Sequence, residues 1–98
     1  GAQADRTLDA FLVPVTVADF PVVLELAHRL RDQGVSVEYA LREQGIAKQL
    51  KLAASRPARL AVVIGPDERA KGEVVVRHLD NGTEEHVSLT KLEAYAWK

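Results

Sequence analysis

The sequence contains no cysteine, and this absence limits how the fold can be held together. Neither disulfide bonds nor thiolate metal sites can form, so stability must come from a hydrophobic core. A reducing environment suits this composition, and we expect a cytoplasmic protein. Methionine is absent as well, so the chain carries no start residue. We therefore expect Gly1 to be a remnant of cloning and the chain to be a piece of a longer protein.

Long apolar runs and a strong charge of one sign are also missing. No run of about 18 apolar residues or more occurs, so the sequence predicts no membrane-spanning helix. Its 98 residues, 47% hydrophobic and 28% charged, are typical of one globular domain. We expect a single domain over residues 1–98, of which residues 1–7 are a tag remnant or linker. The net charge of -1 argues against a strongly basic nucleic-acid-binding surface.

The basic residues are nevertheless unevenly distributed. Residues 42–59 carry five basic side chains and one acidic side chain, whereas both flanking regions are acidic. The five are Arg42, Lys48, Lys51, Arg56 and Arg59, and the acidic one is Glu43. Such a local positive excess can contact phosphate groups. From charge alone, a solvated helix face is the simpler interpretation.

Apolar patterns predict alternating strands and helices in the first half of the chain. The run Ala10–Val15 predicts a buried first strand. Apolar residues at 23, 26, 27 and 30 form one stripe and predict a helix capped by Asp19, with Thr16 as the alternative cap. Residues 35–39 alternate between apolar and polar side chains, which predicts a strand with one exposed face.

The second half predicts a further helix, a central strand, a hairpin and a last helix. The helix covers about residues 46–55, and the unbroken apolar run Leu60–Ile64 is typical of a strand covered on both faces. Asp80-Asn81-Gly82 is a strong hairpin turn signal, and Glu84–Val87 is the return strand. Ser88 is the expected cap of the last helix.

This order of elements predicts an α/β fold in three layers, α/β/α, around a mixed sheet of about five strands. The order is β-α-β-α-β, followed by the hairpin and a C-terminal helix. Right-handed crossovers make the first three strands parallel, and the hairpin adds antiparallel ones. Trp97 either fills the core or faces a neighbouring domain, and its place near the chain end favours the neighbouring domain.

Ligands of open parallel sheets lie beyond the carboxyl ends of the strands. Thr16 follows the first strand, Arg42 and Glu43 follow the second, and Glu68 follows the third. Arg77, on the next strand, lies near this edge if the turn before its strand is compact. A carboxylate accepts hydrogen bonds from a nucleobase, and a guanidinium stacks on one or donates to it. From the residues alone, a surface ion pair is the base case for Glu68 and Arg77.

The sequence offers no motif for catalysis or metal binding. The spacing of His28, His78 and His86 matches no metal-ligand pattern. The serines lie in no nucleophile elbow, and GPDERAKG lacks the glycines and the GK[ST] end of a phosphate loop. We therefore expect no catalytic residue, no metal and no cofactor in this chain.

The segment Lys48–Gly72, KQLKLAASRPARLAVVIGPDERAKG, leads into a strand that ends at Arg77. This combination resembles the anticodon-binding domain of class II aminoacyl-tRNA synthetases, most closely that of the histidyl enzymes, over nearly the whole chain. In that family a glutamate after the third strand and a basic residue ending the next strand contact anticodon bases. The resemblance implies this role for Glu68 and Arg77.

The resemblance also implies roles for the preceding loop and helix. The loop after the second strand approaches the anticodon in the family, which implies base contacts for Arg42 and Glu43. Lys48 and Lys51 are expected to contact phosphate, which positions an RNA without specifying its sequence. The implied parent is a homodimeric histidine–tRNA ligase that uses ATP and Mg²⁺ on another domain. This domain would bind the anticodon loop and pack against the catalytic domain.

Two other functions remain open from the sequence. Histidyl relatives usually have a tyrosine at the position of Leu52 and an acidic residue at that of Ala54. These differences leave room for a regulatory or interaction domain of a synthetase-like paralogue that does not bind tRNA specifically. A small flavodoxin-like ligand-binding domain is a third, weaker alternative.

Overall fold

A computed structural model describes residues 8–39, 45, 48–51, 58–95 and 97, and the structural statements below concern these residues. Five strands, two α-helices with described ends and the α-helical residues 48–51 form its regular structure. In chain order they are β1 (Leu8–Pro14), α1 (Phe20–Asp32), β2 (Val37–Tyr39), β3 (Ala58–Ile64), α2 (Pro66–Lys71), β4 (Glu73–His78) and β5 (Glu84–Ser88). Short 3-10 helices cover Val17–Asp19 and Leu89–Ala94, and residues 48–51 are helical.

The five strands form one mixed sheet in the order β2-β1-β3-β4-β5. β1 lies parallel to both β2 and β3, with Leu12 opposite Tyr39 on one side and Val62 on the other. β3 and β4 are antiparallel, as are β4 and β5, with Val76 opposite Val62 and Glu85. The predicted mixed sheet and α/β fold are confirmed.

Alternation along the strands divides the apolar residues between two faces of the sheet. The larger cluster contains Leu12, Val62 and Val76 and packs against Leu26 and Leu30 of α1. The smaller cluster on the opposite face contains Phe11, Val13, Ala58 and Ala61, and Leu50 of the helical residues 48–51 packs against it. Apolar residues therefore cover the central strands on both faces, as the unbroken run in β3 predicts.

The structure differs from the sequence predictions at several boundaries. β3 begins at Ala58 rather than Leu60, and the last helix is a 3-10 helix. Ser88 caps that helix as predicted, because its Oγ accepts a hydrogen bond from the backbone N–H of Thr90. The segment after β3, expected to be a turn, is the short helix α2.

Trp97 fills the core, so its expected contact with a neighbouring domain is wrong. Its side chain is only 3% exposed, and its Nε1 donates a hydrogen bond of 2.7 Å to the carbonyl of Leu92. Arg59 Nη1 donates to the carbonyl of Trp97 itself at 3.0 Å. Sequence position near the chain end did not reveal this burial, because it depends on how the C-terminal segment folds back.

The hydroxyl of Tyr95 connects the same C-terminal segment to β4 and β5. Its hydroxyl donates to Glu85 Oε2 at 2.7 Å and lies 3.3 Å from His78 Nε2. Burial and the Glu85 carboxylate raise the pKa of Tyr95 to about 12, because both disfavour the phenolate.

In the described ranges, no helix has the length and hydropathy needed to cross a membrane.

Val62 provides a direct test of the strand assignment. It is 0% exposed at the middle of β3, so Val62→Asp would bury an unpaired carboxylate. We expect a loss of about 3 kcal/mol or more in the free energy of unfolding, or failure to fold. Val17→Asp is the control, because Val17 is 56% exposed, and we expect a change within about 0.5 kcal/mol. Urea unfolding measures both, and near-native stability of Val62→Asp would contradict the placement of β3.

Candidate functional site

The carboxyl ends of β1 and β3 meet at one edge of the sheet, which we call the carboxyl edge and define as residues 14–15 and 64–65. The backbone N–H of Val15 donates to the carbonyl of Ile64 at 3.0 Å. The side chain of Gln49 is buried, and its Nε2 donates to the carbonyl of Pro14 at 2.9 Å. The helical residues 48–51 are thereby attached to this edge.

Glu68 lies at the carboxyl edge, where the sequence predicted it. It belongs to the first turn of α2 and is half-buried. A Cβ atom at Gly65 would lie 2.7 Å from Glu68 Oε1 and 2.8 Å from Val15 Cγ2. The Glu68 carboxylate therefore folds back over the backbone of Gly65, and glycine leaves the room for it.

Arg77 does not lie at the carboxyl edge, in contrast to the expectation of a compact turn. It is opposite Ala61 in the β3–β4 register, and Ala61 precedes Gly65 by four residues, about 13 Å along a strand. The reason is the antiparallel course of β4, which starts after α2 and leads away from the edge. Its Nη1 donates to Glu84 Oε2 at 2.9 Å, and both side chains are partly exposed.

Glu68 and Arg77 nevertheless occupy the same face of the sheet. Residues 61, 63 and 65 share one face of the β3 segment, and Val75 and Arg77 are their neighbours on β4. Val63 and Val75 are opposite each other and half-buried, and they lie between Glu68 and Arg77. We call Glu68, Val63, Val75 and Arg77 the β3–β4 strip.

The expected phosphate contacts, Lys48 and Lys51, are both exposed. They share a helical segment with buried Gln49 and with Leu50, which packs against the smaller apolar cluster. Their ammonium groups are thus presented to solvent by a segment that is attached to the carboxyl edge. Arg42 and Glu43, the other expected base contacts, lie outside the described residues.

An ion pair between buried Asp19 and exposed Arg69, at the same edge, was not predicted from the sequence. Asp19 is 0% exposed, and its Oδ2 accepts hydrogen bonds from the backbone N–H and the hydroxyl of Thr16, each at 2.8 Å. Its Oδ1 accepts from Nε of Arg69 on α2. The spacing Thr16-x-x-Asp19 is a capping-box signal that could have revealed the first contact. Nothing local indicates Arg69, which is fifty residues away.

Both residues predicted as caps of α1 lie at the start of a helix, but their side chains bond differently from the prediction. Asp19 is the N-cap of α1, while Thr16 caps the 3-10 turn before it. The Asp19 carboxylate points back to Thr16 instead of capping α1. Burial alone would raise the pKa of Asp19, but the hydrogen bonds from Thr16 and the pairing with Arg69 outweigh it and lower the pKa below the ordinary aspartate value.

The lowered pKa of Asp19 predicts how acid affects stability. An aspartate with a lower pKa in the folded state stabilises the fold fully above its unfolded pKa of about 3.8. That contribution is lost as the pH falls through the folded value. We expect the difference in unfolding free energy between the wild type and Asp19→Asn to be constant from pH 7 to about 5 and to shrink below about 4. Urea unfolding at several pH values measures it, and a difference that does not shrink in acid would contradict the ionised pair.

Comparison with known proteins gives one consistent result. A family model described as "Anticodon binding domain" matches residues 9–97. The chain is 37% identical over 90 residues to the histidine–tRNA ligase of Symbiobacterium thermophilum, an alignment that covers 91% of the chain. It is 38% identical over 84 residues to that of Rhodospirillum rubrum, with 86% of the chain covered.

A solved structure agrees with these sequence matches. The crystal structure of apo S. aureus histidyl-tRNA synthetase matches 96% of the chain with a TM-score of 0.88 and 26% sequence identity. The matched region is 24% of that structure's chain. The chain spans about a fifth of the length of the curated relatives named above, at 21% and 20%.

Proposed function

This chain belongs to the anticodon-binding domain family, and we propose on that basis that it recognises the anticodon loop of a transfer RNA as part of a histidine–tRNA ligase. The observation that carries the proposal is the family match over residues 9–97. The two curated relatives described above are histidine–tRNA ligases, which supports the histidyl assignment. Nothing in these comparisons favours the regulatory paralogue.

The proposed parent is a longer, cytoplasmic protein in which this single domain is C-terminal. Its catalytic domain would activate histidine with ATP and Mg²⁺, and the full-length ligase would be a homodimer. Support comes from the chain's 21% share of its relative's length, which leaves room for such a domain. Residues 1–7 would then be a linker or tag remnant rather than part of the recognition surface.

We assign base recognition to Glu68 and Arg77, each at a different nucleotide. The half-buried carboxylate of Glu68 can accept from amino or imino groups of a base, and the guanidinium of Arg77 can stack on a base or donate to it. About 13 Å of strand separates the levels of Gly65 and Ala61, which favours two different bases over one shared base. Val63 and Val75, between them, provide an apolar surface for a base to rest on.

The loop and helix before β3 complete the proposed interface. Arg42 and Glu43 are further candidate base contacts on the strength of the family resemblance. Lys48 and Lys51 would contact phosphate and so fix the position of the RNA without specifying its sequence. Their exposure leaves both ammonium groups open to a phosphate, and the hydrogen bond of Gln49 to Pro14 attaches their segment to the carboxyl edge, where Glu68 also lies. Both observations support this arrangement.

We expect weak tRNA binding by the isolated chain and a steep dependence of that binding on salt. The net charge of -1 offers little general attraction, so the phosphate contacts dominate the affinity. Lys48→Ala and Lys51→Ala should each weaken binding of all tRNAs alike and reduce the salt slope by about 1. Lys91→Ala is the matched control, since Lys91 is exposed on the C-terminal 3-10 helix. Fluorescence anisotropy measures these affinities, and tight binding that is independent of salt would contradict the assignment.

The base contacts have a different signature in the full-length ligase. Glu68→Ala and Arg77→Ala should each lower the aminoacylation efficiency for the cognate anticodon by about 1–3 kcal/mol, with a smaller loss on tRNAs of altered anticodon. The two variants should also differ in which anticodon position they cease to discriminate. Steady-state charging of transcripts altered at one anticodon position measures both effects.

Exposed Glu25 on α1 supplies the control variant Glu25→Ala, which should charge all transcripts as the wild type does. Equal losses for Glu68→Ala on cognate and altered transcripts, or no loss, would show that Glu68 does not contact a base. The same criterion applies to Arg77, whose pairing with Glu84 would then be an ordinary surface ion pair.

A further inference from the structure

Helix α2, which carries Glu68, connects β3 to β4, and an ion pair from its Arg69 attaches it to the loop after β1. None of its residues is buried, so apolar packing does not anchor it. At six residues it is also far too short to be stable by its own backbone hydrogen bonds. Its C-terminal end is fixed by Gly72, whose φ of 69° lets the chain turn directly into β4.

Asp19 anchors α2 through its ion pair with Arg69. It is the only ionisable side chain that the fold buries among the residues described. Burying a carboxylate is costly unless hydrogen bonds and an opposite charge compensate it, and here Thr16 and Arg69 do so. The arrangement joins the loop after β1 to the helix after β3.

We propose that Asp19 is a positioning residue that acts through Arg69 to set the orientation of α2 and thereby the place of Glu68 at the carboxyl edge. Successive residues of an α-helix point about 100° apart, so fixing Arg69 against Asp19 fixes the direction of its neighbour Glu68. The proposal rests on the proposed base contact of Glu68. It assigns the specificity of that contact in part to a residue that touches no RNA.

Hydrogen exchange tests whether Asp19 holds α2 rather than the whole fold. Asp19→Asn keeps the shape of the side chain and removes the charge. The amides of Arg69 and Gly72, which donate to Gly65 and Arg69, should exchange about tenfold faster in this variant. Protection at Val62 in β3 should fall by a smaller factor. Equal factors at all these amides would overturn the proposal, because they would show a global loss of stability only.

Binding selectivity tests whether the held helix matters for recognition. The readout is a selectivity ratio. It is the dissociation constant of this chain for a stem–loop RNA with an altered anticodon, divided by that for the stem–loop with the cognate anticodon. Asp19→Asn should lower this ratio about as far as Glu68→Ala does, and the double variant should lower it no further. The positioning role would be overturned if the fold-losses in this ratio for the two single variants multiply in the double variant. It would also be overturned if Glu68→Ala lowers the ratio while Asp19→Asn leaves it unchanged.

The outcomes separate this proposal from the one on which it rests. An unchanged ratio in Glu68→Ala overturns the base contact itself and the positioning role with it. Arg69→Gln is the second variant if Asp19→Asn fails to fold, since it keeps both hydrogen bonds from Thr16 to Asp19. It should reproduce the loss of selectivity. Lys71→Gln removes a charge from the same helix at an exposed position and should behave as the wild type.

Discussion

The parallel pairing of β1 with β3 is the constraint on which the rest of this structure depends. Because the two strands run in the same direction, their carboxyl ends meet, and Val15 and Gly65 become neighbours. Chain segments that are far apart in sequence then converge at that edge. They are the 3-10 turn with Asp19, the helical residues 48–51 with Gln49, and α2 with Glu68. The same pairing buries both faces of the central strands and so supplies most of the core.

Polar contacts help to hold the parts of this edge that would meet RNA. α2 buries none of its residues and is attached through Arg69 to the buried Asp19. The segment with Lys48 and Lys51 is attached through the hydrogen bond of Gln49 to Pro14 and through the packing of Leu50 against the smaller apolar cluster. Such contacts depend on direction, so they fix the orientation of short elements that a small apolar surface could not fix. Glu68, Lys48 and Lys51 can then lie at the edge of a stable sheet without contributing to its core.

Much of the fold could be predicted from the sequence, because its main signals are local. The apolar run in β3, the Asp80-Asn81-Gly82 turn and the stripe of α1 each identified an element within a short window. α2 could not be identified in this way, since its six residues are too few for helical periodicity to show. It replaced an expected turn.

The location of a candidate site residue was predicted correctly where the residue follows a strand within a few positions, as Glu68 follows β3. The position of Arg77 depends on the register between β3 and β4, and its partner Glu84 depends on the register between β4 and β5. The pairing of Asp19 with Arg69 and the burial of Trp97 arise only when distant segments meet. The most direct measurement of the central claim is an NMR titration of the labelled chain with an anticodon stem–loop RNA. We expect shift changes at residues 48–51, 65–69 and 77. Changes confined to other surfaces, such as the exposed face of α1, would contradict anticodon binding at the carboxyl edge.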